Sequence, residues 1–113
     1  MITASFKRDK DRQCICMTLR GHARQDNPGK DIVCASASIL AYTLAQTLKY
    51  IQSQGGIHKL RIKIDSGDAK ITCYPTEEFY DVVLHTYLTT EVGISLLEHN
   101  FPEYVELSMF AEG

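Results

Sequence analysis

The chain has 113 residues, of which 44% are hydrophobic and 23% are charged. This length suits a single folded domain spanning residues 1–113, and the composition, close to the globular average, excludes a disordered chain. Twelve basic against 14 acidic residues give a formal net charge of -2, so we expect no direct nucleic-acid partner. The N-terminus has no signal-peptide core and no run of about 18 apolar residues occurs, which predicts a cytoplasmic protein without a membrane partner.

Two segments near the N-terminus alternate between apolar and polar residues, as strands do. A charged turn around Asp9 separates them, so together they predict a β-hairpin. The inward residues are Ile2, Ala4 and Phe6 in ITASFK and Ile15, Met17 and Leu19 in CICMTL.

From Asp31 to about Ser53 apolar residues recur at three and four positions, which predicts an amphipathic helix. Gly55 and Gly56 end this helix. Its apolar stripe consists of Val33, Ala37, Leu40, Leu44, Leu48 and Ile51.

A second hairpin follows in KLRIKID and AKITCY, joined by a turn at Ser66, Gly67 and Asp68. Alternation places one set of residues inward and three cations outward. The inward set is Leu60, Ile62, Ile64, Ile71 and Cys73, and the outward cations are Lys59, Arg61 and Lys63.

A second helix is predicted after Pro75, with Thr76 as its N-cap and a kink or pause near Gly93. The final segment YVELSM alternates again, with Val105, Leu107 and Met109 inward. The order ββαββαβ predicts a two-layer α+β domain, in which two helices pack on one face of a mostly antiparallel sheet.

A pairing of cysteine and histidine stands out around the start of the first predicted helix. If Asp31 is the N-cap, Cys34 lies in the first turn, where unpaired N–H groups and the helix dipole favour a thiolate. His22 precedes a loop from Ala23 to Lys30, which is long enough to bring the imidazole beside the thiol and to act as a flap. Gly21 allows a close approach of backbone or peptide.

These residue types predict a nucleophile and its base, with the helix N-terminus stabilising the oxyanion. Ser38, one turn after Cys34, is a supporting candidate, on a face of small residues that also holds Ala41 and Ala45. Asp31 has two competing roles, since a capping carboxylate is not available to orient His22. No third catalytic residue follows from the pattern.

The residues also have a simpler interpretation. A small Cys at a helix start is often a buried core residue, and a lone His is often a surface residue. We assign His58, His85 and His99 to the surface and Cys14, Cys16 and Cys73 to strand packing. The spacing of Cys and His does not match a zinc site, so we expect no metal and no cofactor.

The stretches GHA and GKDIVCASAS are similar to the G-H-A and D-I-V-C-A motifs of the Prp family of ribosomal-processing cysteine proteases. The resemblance extends over the whole chain, including VGISLLEHNFPEYVEL near its end. It implies Cys34 as nucleophile and His22 as its partner, with Asp31 and Ser38 in supporting positions. It also implies a homodimer whose substrate is the N-terminal extension of large-subunit ribosomal protein twenty-seven.

Two alternatives stay open at this point. One is a related protease that acts on another protein, for example a phage structural protein. The other is a non-catalytic, ribosome-associated interaction domain in which Cys34 is a packing residue and the small-residue face binds a partner.

Overall fold

The computed structural model describes residues 1–11, 13–21, 28–65 and 67–110, with residues 28–31 described by their backbone only. Seven elements follow one another in the predicted order ββαββαβ. They are β1 (Ile2–Asp9), β2 (Cys14–Arg20), α1 (Pro28–Ser53), β3 (Ile57–Asp65), β4 (Asp68–Pro75), α2 (Tyr80–Asn100) and β5 (Val105–Ser108).

The five strands form one sheet in the order β3-β4-β2-β1-β5. Three of the four neighbouring pairs are antiparallel, and β5 is added parallel to β1. The described part of the chain measures 45 × 29 × 17 Å, and its short dimension fits one sheet layer covered by one helix layer. The predicted two-layer α+β fold with a mostly antiparallel sheet is confirmed.

The core lies between the sheet and the two helices. The inward residues predicted for β1 and β2 are all buried, and so are Ile71 and Cys73 of β4. The α1 stripe is buried except for Leu40, which is half-buried and packs against the core. Tyr87 of α2 is fully buried, and its hydroxyl donates to the carbonyl oxygen of Ile71 at 2.9 Å, which fixes α2 above β4.

Helix α1 begins earlier than the sequence pattern predicts. Its first residue is Pro28, so Asp31 is the fourth helical residue and the assignment of Asp31 as N-cap is wrong. Proline is well suited to the first helical position, because its fixed φ matches the helix and its missing N–H has no partner to lose there. The predicted loop Ala23 to Lys30 therefore loses its last three residues to the helix.

Helix α2 differs from the prediction at two points. The hydroxyl of Thr76 accepts the N–H of Phe79 at 3.2 Å, but residues 77–79 form a turn and the helix begins only at Tyr80. The helix then runs without interruption through Gly93. A Cβ at Gly93 would lie 2.7 Å from Cδ2 of Leu40, so this glycine permits close packing of α1 on α2 and makes no kink.

The C-terminal strand is held by two carboxylates of α2, which the sequence pattern did not indicate. Glu98 Oε2 accepts the N–H of Leu107 at 2.7 Å, and Glu91 Oε2 accepts that of Phe110 at 2.8 Å. Glu91 is only 4% exposed. Regular alternation ends at Ser108, and Met109 is 60% exposed, so its predicted inward position is wrong.

The outward side of α1 is unusually apolar. Four large exposed side chains of α1 lie on one stripe. They are three, seven or eight residues apart, and each spacing is close to a whole number of helical turns. They are Ile32, Ile39, Tyr42 and Tyr50. By length and composition the window Ile32–Ser53, with a mean hydropathy of 1.3, is also capable of crossing a membrane, but the opposite side of α1 forms the core of this domain, and core helices pass the same test.

Candidate active site

Cys34 lies on α1 at the edge of an open pocket of about 70 Å³. The side chain is half-buried and packs partly against the core. The pocket forms where α1 passes over one end of the sheet, so its walls come from α1, from β1 and β2, and from the turn between β3 and β4. The thiol therefore lies at a surface opening and is not enclosed in the hydrophobic core.

Gly21 lines the same pocket at the end of β2. Its φ is +114°, and a Cβ at this position would collide with the carbonyl oxygen of Met1. The N–H of Gly21 donates to the carbonyl oxygen of Gly67 at 2.8 Å. Only glycine meets both demands, because the backbone conformation and the lack of space each reject a side chain. The residue before His22 is thus held beside the pocket that contains Cys34.

The small residues of α1 make room for the pocket over a limited length. Ala37, Ser38 and Ala41 line it together with Cys34. Ala45 is buried in the core and does not line the pocket. The small-residue face of α1 thus lines the pocket near Cys34 and is buried in the core farther toward the C-terminal half of the helix.

The structure describes only some of the remaining predicted site residues. His22 and residues 23–27 lie outside the described residues, and of Asp31 only the backbone is described. Cys34 is the seventh residue of α1, so its placement in the first helical turn is wrong. The unpaired N–H groups of a helix belong to its first turn, hence the argument that they directly favour a Cys34 thiolate no longer holds.

The turn between β3 and β4 is a wall of the pocket that the sequence analysis missed. Gly67 and Ala69 contribute to the lining, as does Ile64 at the end of β3. The turn was predicted, but its proximity to Gly21 depends on the pairing of β2 with β4, in which Arg20 is opposite Asp68. The alternating segments are similar in length, which indicates that paired strands end together. It does not indicate which strand pairs with β2.

The other thiols have different surroundings. Burial raises the pKa of Cys73 to about 12, with a further rise from nearby Cys14, so Cys73 is protonated and unreactive at neutral pH. Cys14 and Cys16 are half-buried on the sheet face away from the helices, and the hydroxyl of Thr72 donates to Cys16 Sγ at 3.4 Å. Within the described ranges no group of three or more His, Cys, Asp or Glu side chains is suited to hold a metal ion.

The predicted surface histidines are confirmed as such. His58, His85 and His99 are all exposed. His85 Nδ1 lies 2.7 Å from the carbonyl oxygen of Asp81 in the preceding turn of α2. None of these three rings lines the pocket at Cys34.

Comparison with known proteins agrees with this geometry. A family model described as "Cysteine protease Prp" matches residues 1–106. No curated protein matches the chain. Among solved structures, the protein SMU.848 from Streptococcus mutans is 28% identical with a TM-score of 0.72, and the match covers 99% of this chain and 96% of that one.

Two further solved structures are of the essential ribosomal processing protease Prp from S. aureus. One holds a substrate peptide and the other a covalently linked product peptide. Each is 21% identical to this chain and covers 96% of it and 99% of its own chain, with TM-scores of 0.71 and 0.70. At this identity the likeness establishes the fold.

Proposed function

Because the chain belongs to the Prp family of cysteine proteases, we propose that Cys34 is the nucleophile of this protease and His22 its general base. The observation that carries the assignment is that Cys34 and Gly21 line one pocket, and His22 directly follows Gly21 in the chain. A backbone hydrogen bond and a positive φ hold Gly21 in this place. A Cys and a His that converge on a surface pocket are the minimum required for acyl transfer to a thiol.

In the proposed reaction, His22 takes the proton of the Cys34 thiol and the sulfur attacks the carbonyl carbon of the scissile bond. The imidazolium then protonates the leaving amine, and a thioester to Cys34 remains. Water, deprotonated by the same imidazole, attacks this thioester and releases the new carboxyl end with the thiol restored. Ser38 is placed to hydrogen-bond the peptide beside the thiol, since it lines the pocket one turn after Cys34. Asp31 is kept as a supporting position.

We propose as substrate the precursor of large-subunit ribosomal protein twenty-seven, whose N-terminal extension would be removed. A protein of the same fold from S. aureus is named as a ribosomal processing protease and was solved with a substrate peptide and with a product peptide. The pocket at Cys34 is small and open to the surface, which suits an extended peptide segment. Such a substrate places the protein in the cytoplasm, and its four cysteines are all thiols, as is usual there.

We further propose that the protein is a homodimer. The outward apolar stripe of α1, formed by Ile32, Ile39, Tyr42 and Tyr50, supports an interface. Exposed Val82, Val92 and Leu96 form a similar stripe on α2. Exposed apolar side chains grouped on one side of a helix are typical of association sites.

The test is mass spectrometry of the precursor incubated with the protein and with its Cys34→Ala variant. We expect one defined cut by the wild-type protein and none by the variant. Since Cys34 is only half-buried and alanine is small and favourable in a helix, the variant should keep its fold and thermal stability.

Cys16→Ala is the matched control, because Cys16 is also half-buried but lies on the opposite face of the sheet. It should cut like the wild-type protein. Cleavage that persists in Cys34→Ala would refute the assignment of the nucleophile. If neither protein cuts this precursor but Cys34 is alkylated faster than Cys16 at low pH, the thiol chemistry stands and the substrate is wrong.

A further inference from the structure

The sheet face away from the helices carries a cluster of cations at one edge. Residues on this face alternate with the core residues of each strand, and four of those on β3 and β4, the two strands at this edge, are basic and exposed. We call Lys59, Arg61, Lys63 and Lys70 the basic strip. Three of them follow one another at every second position along β3, and Lys70 lies beside them on β4.

The strand register keeps most carboxylates away from the basic strip. Going along β3 and β4, Lys59 is paired with Tyr74 and Arg61 with Thr72, whereas the acidic pair Asp65 and Asp68 comes last, at the turn. Within the described ranges the strip makes one ion pair, from Lys63 Nζ to Asp65 at 4.0 Å between exposed side chains. Exposed pairs at this distance contribute little, and the four cations of the strip outnumber the two carboxylates that adjoin it, Asp65 and Asp68.

One pair of cations in the strip is unfavourable for the fold itself. Lys63 and Lys70 are directly opposite each other on neighbouring strands, and like charges in this arrangement destabilise a sheet. Lysines on the edge strand β3 are explained by protection against edge-to-edge aggregation. Lys70 is not, because β4 lies between β3 and β2 in the sheet. The neighbouring pair Asp65 and Asp68 offsets part of this repulsion, and a ligand with closely spaced negative charges would offset more of it.

The neighbours of the strip favour a nucleic acid over an acidic protein. Tyr74 is half-buried, and its ring centroid lies 5.8 Å from Lys59 Nζ. The hydroxyl-bearing Thr18 and Thr72 are also half-buried on this face. An aromatic ring among cations on an open sheet is the combination with which sheets bind single-stranded RNA.

We propose that the basic strip binds the phosphates of single-stranded RNA, with Tyr74 as a stacking surface for a base. Cations two residues apart on a strand are about 6.7 Å apart, which allows each to meet a different phosphate of an extended strand.

The proposal departs from the expectation drawn from the net charge of -2. Net charge sums all faces of a protein, whereas the strand register separates the basic strip from most acids. The inference does not depend on the proposed protease function, since the strip and Cys34 are on opposite faces of the sheet.

The experiment measures the affinity of a fluorescently labelled polyuridine RNA by anisotropy over a range of salt concentrations. For single strands log K falls with log[salt] by about 0.7 per neutralised phosphate, so four cations predict a slope of about 2.8. The double variant Lys63→Gln/Lys70→Gln should lower this slope by about 1.4. Its sheet should be about as stable as that of the wild-type protein, because removal of the like-charge pair is offset by loss of the Lys63–Asp65 ion pair.

The matched control is Lys10→Gln/Lys49→Gln, which removes the same charge from the turn after β1 and from α1. It should leave the slope nearly unchanged. Equal losses in the two double variants would overturn the proposal, and so would absence of RNA binding by the wild-type protein. Competition by polyglutamate as strong as by unlabelled RNA of equal length would also overturn it, in favour of an acidic protein partner. Peptide cleavage should be the same in both double variants, which separates this test from that of the protease.

Discussion

Cys34 and Cys73 are thiols of one domain in opposite surroundings. Cys34 lies at a surface pocket, and Cys73 points from β4 into the core. Burial disfavours the charged form of Cys73 and raises its pKa to about 12, with Cys14 adding to the rise. The sequence shows both as cysteines in plausible packing positions. Their difference depends on the atoms around each sulfur, and those are contributed by distant segments of the chain.

The raised pKa of Cys73 predicts a loss of stability at alkaline pH. In the unfolded chain this thiol ionises near its ordinary pKa of 9.0, while in the folded protein it keeps its proton. Above that pH the unfolded state binds fewer protons than the folded state. The contribution of the Cys73 thiol to stability is therefore full below pH 9 and is lost as the pH rises toward the pKa of the folded protein. We expect about 1.4 kcal/mol per pH unit from this group.

Urea unfolding under reducing conditions between pH 9 and 10 measures this loss. The upper limit equals the ordinary pKa of Tyr87, 10.0, which burial also raises, so the part of the loss that comes from Tyr87 is common to the wild-type protein and Cys73→Ala. Cys73→Ala should be less stable at neutral pH because it leaves a cavity, yet lose less stability across this interval. Cys16→Ala should follow the wild-type protein. If the free energy of unfolding falls equally with pH in the wild-type protein and in Cys73→Ala, the loss does not come from the Cys73 thiol.

At the level of elements, the two helices meet where Gly93 of α2 faces Leu40 of α1. The sequence pattern suggests a helix break at this glycine, since glycine is unfavourable inside helices. The helix is instead continuous, because a side chain at this position would displace Leu40. A packing demand of a second element therefore explains the glycine, and no local pattern carries that information.

The contact predicts that Gly93→Ala has opposite effects in two backgrounds. In the wild-type protein the new methyl group meets Leu40 and overpacking costs about 1–3 kcal/mol, which exceeds the gain of about 1 kcal/mol in helix propensity. In a Leu40→Ala background the methyl group has room, so the same change should stabilise by about 1 kcal/mol. Chemical unfolding of the four proteins closes the double-mutant cycle. If Gly93→Ala changes the free energy of unfolding in the same direction in both backgrounds, Leu40 is not the side chain that the new methyl group meets.

At the level of the whole molecule, the three exposed surfaces have different character. The outward side of the helix layer is apolar, one end of the sheet opens into the pocket at Cys34, and the far face of the sheet carries the basic strip. Composition and net charge average over these surfaces. The high hydropathy of α1 arises because both of its long sides are apolar, one toward the core and one toward solvent.

The apolar stripe of α1 predicts that the proposed homodimer is lost in Ile39→Glu. Ile39 is 63% exposed, so the substitution leaves the core intact and places a charge in an apolar interface, where it is costly. Sedimentation equilibrium should show a dimeric mass for the wild-type protein and a monomeric mass for the variant. Gln52→Glu adds the same charge at an exposed site of α1 away from the stripe and should remain dimeric. A wild-type protein that is monomeric at all concentrations would refute the dimer.

The candidate site was predictable in part. Cys34 and Gly21 line one pocket, whereas the predicted meeting of Cys34 with His22 lies outside the described residues and stays a prediction. The N-cap assignment of Asp31 was wrong, because local preference for an acidic cap competes with the preference for Pro28 at the first helical position. The wall formed by the turn at Gly67 could not be predicted, because it depends on which strand pairs with β2.

The sequence by itself determined the elements, their order and the inward face of each strand, because periods of two and of three to four residues are local properties of the chain. Tertiary structure decided why α2 continues through Gly93 and why Met109 is exposed. It also decided that β5 lies parallel to β1 and that Lys63 lies opposite Lys70. These features depend on contacts between residues far apart in the chain, and such contacts follow from packing and strand register, which no local period encodes.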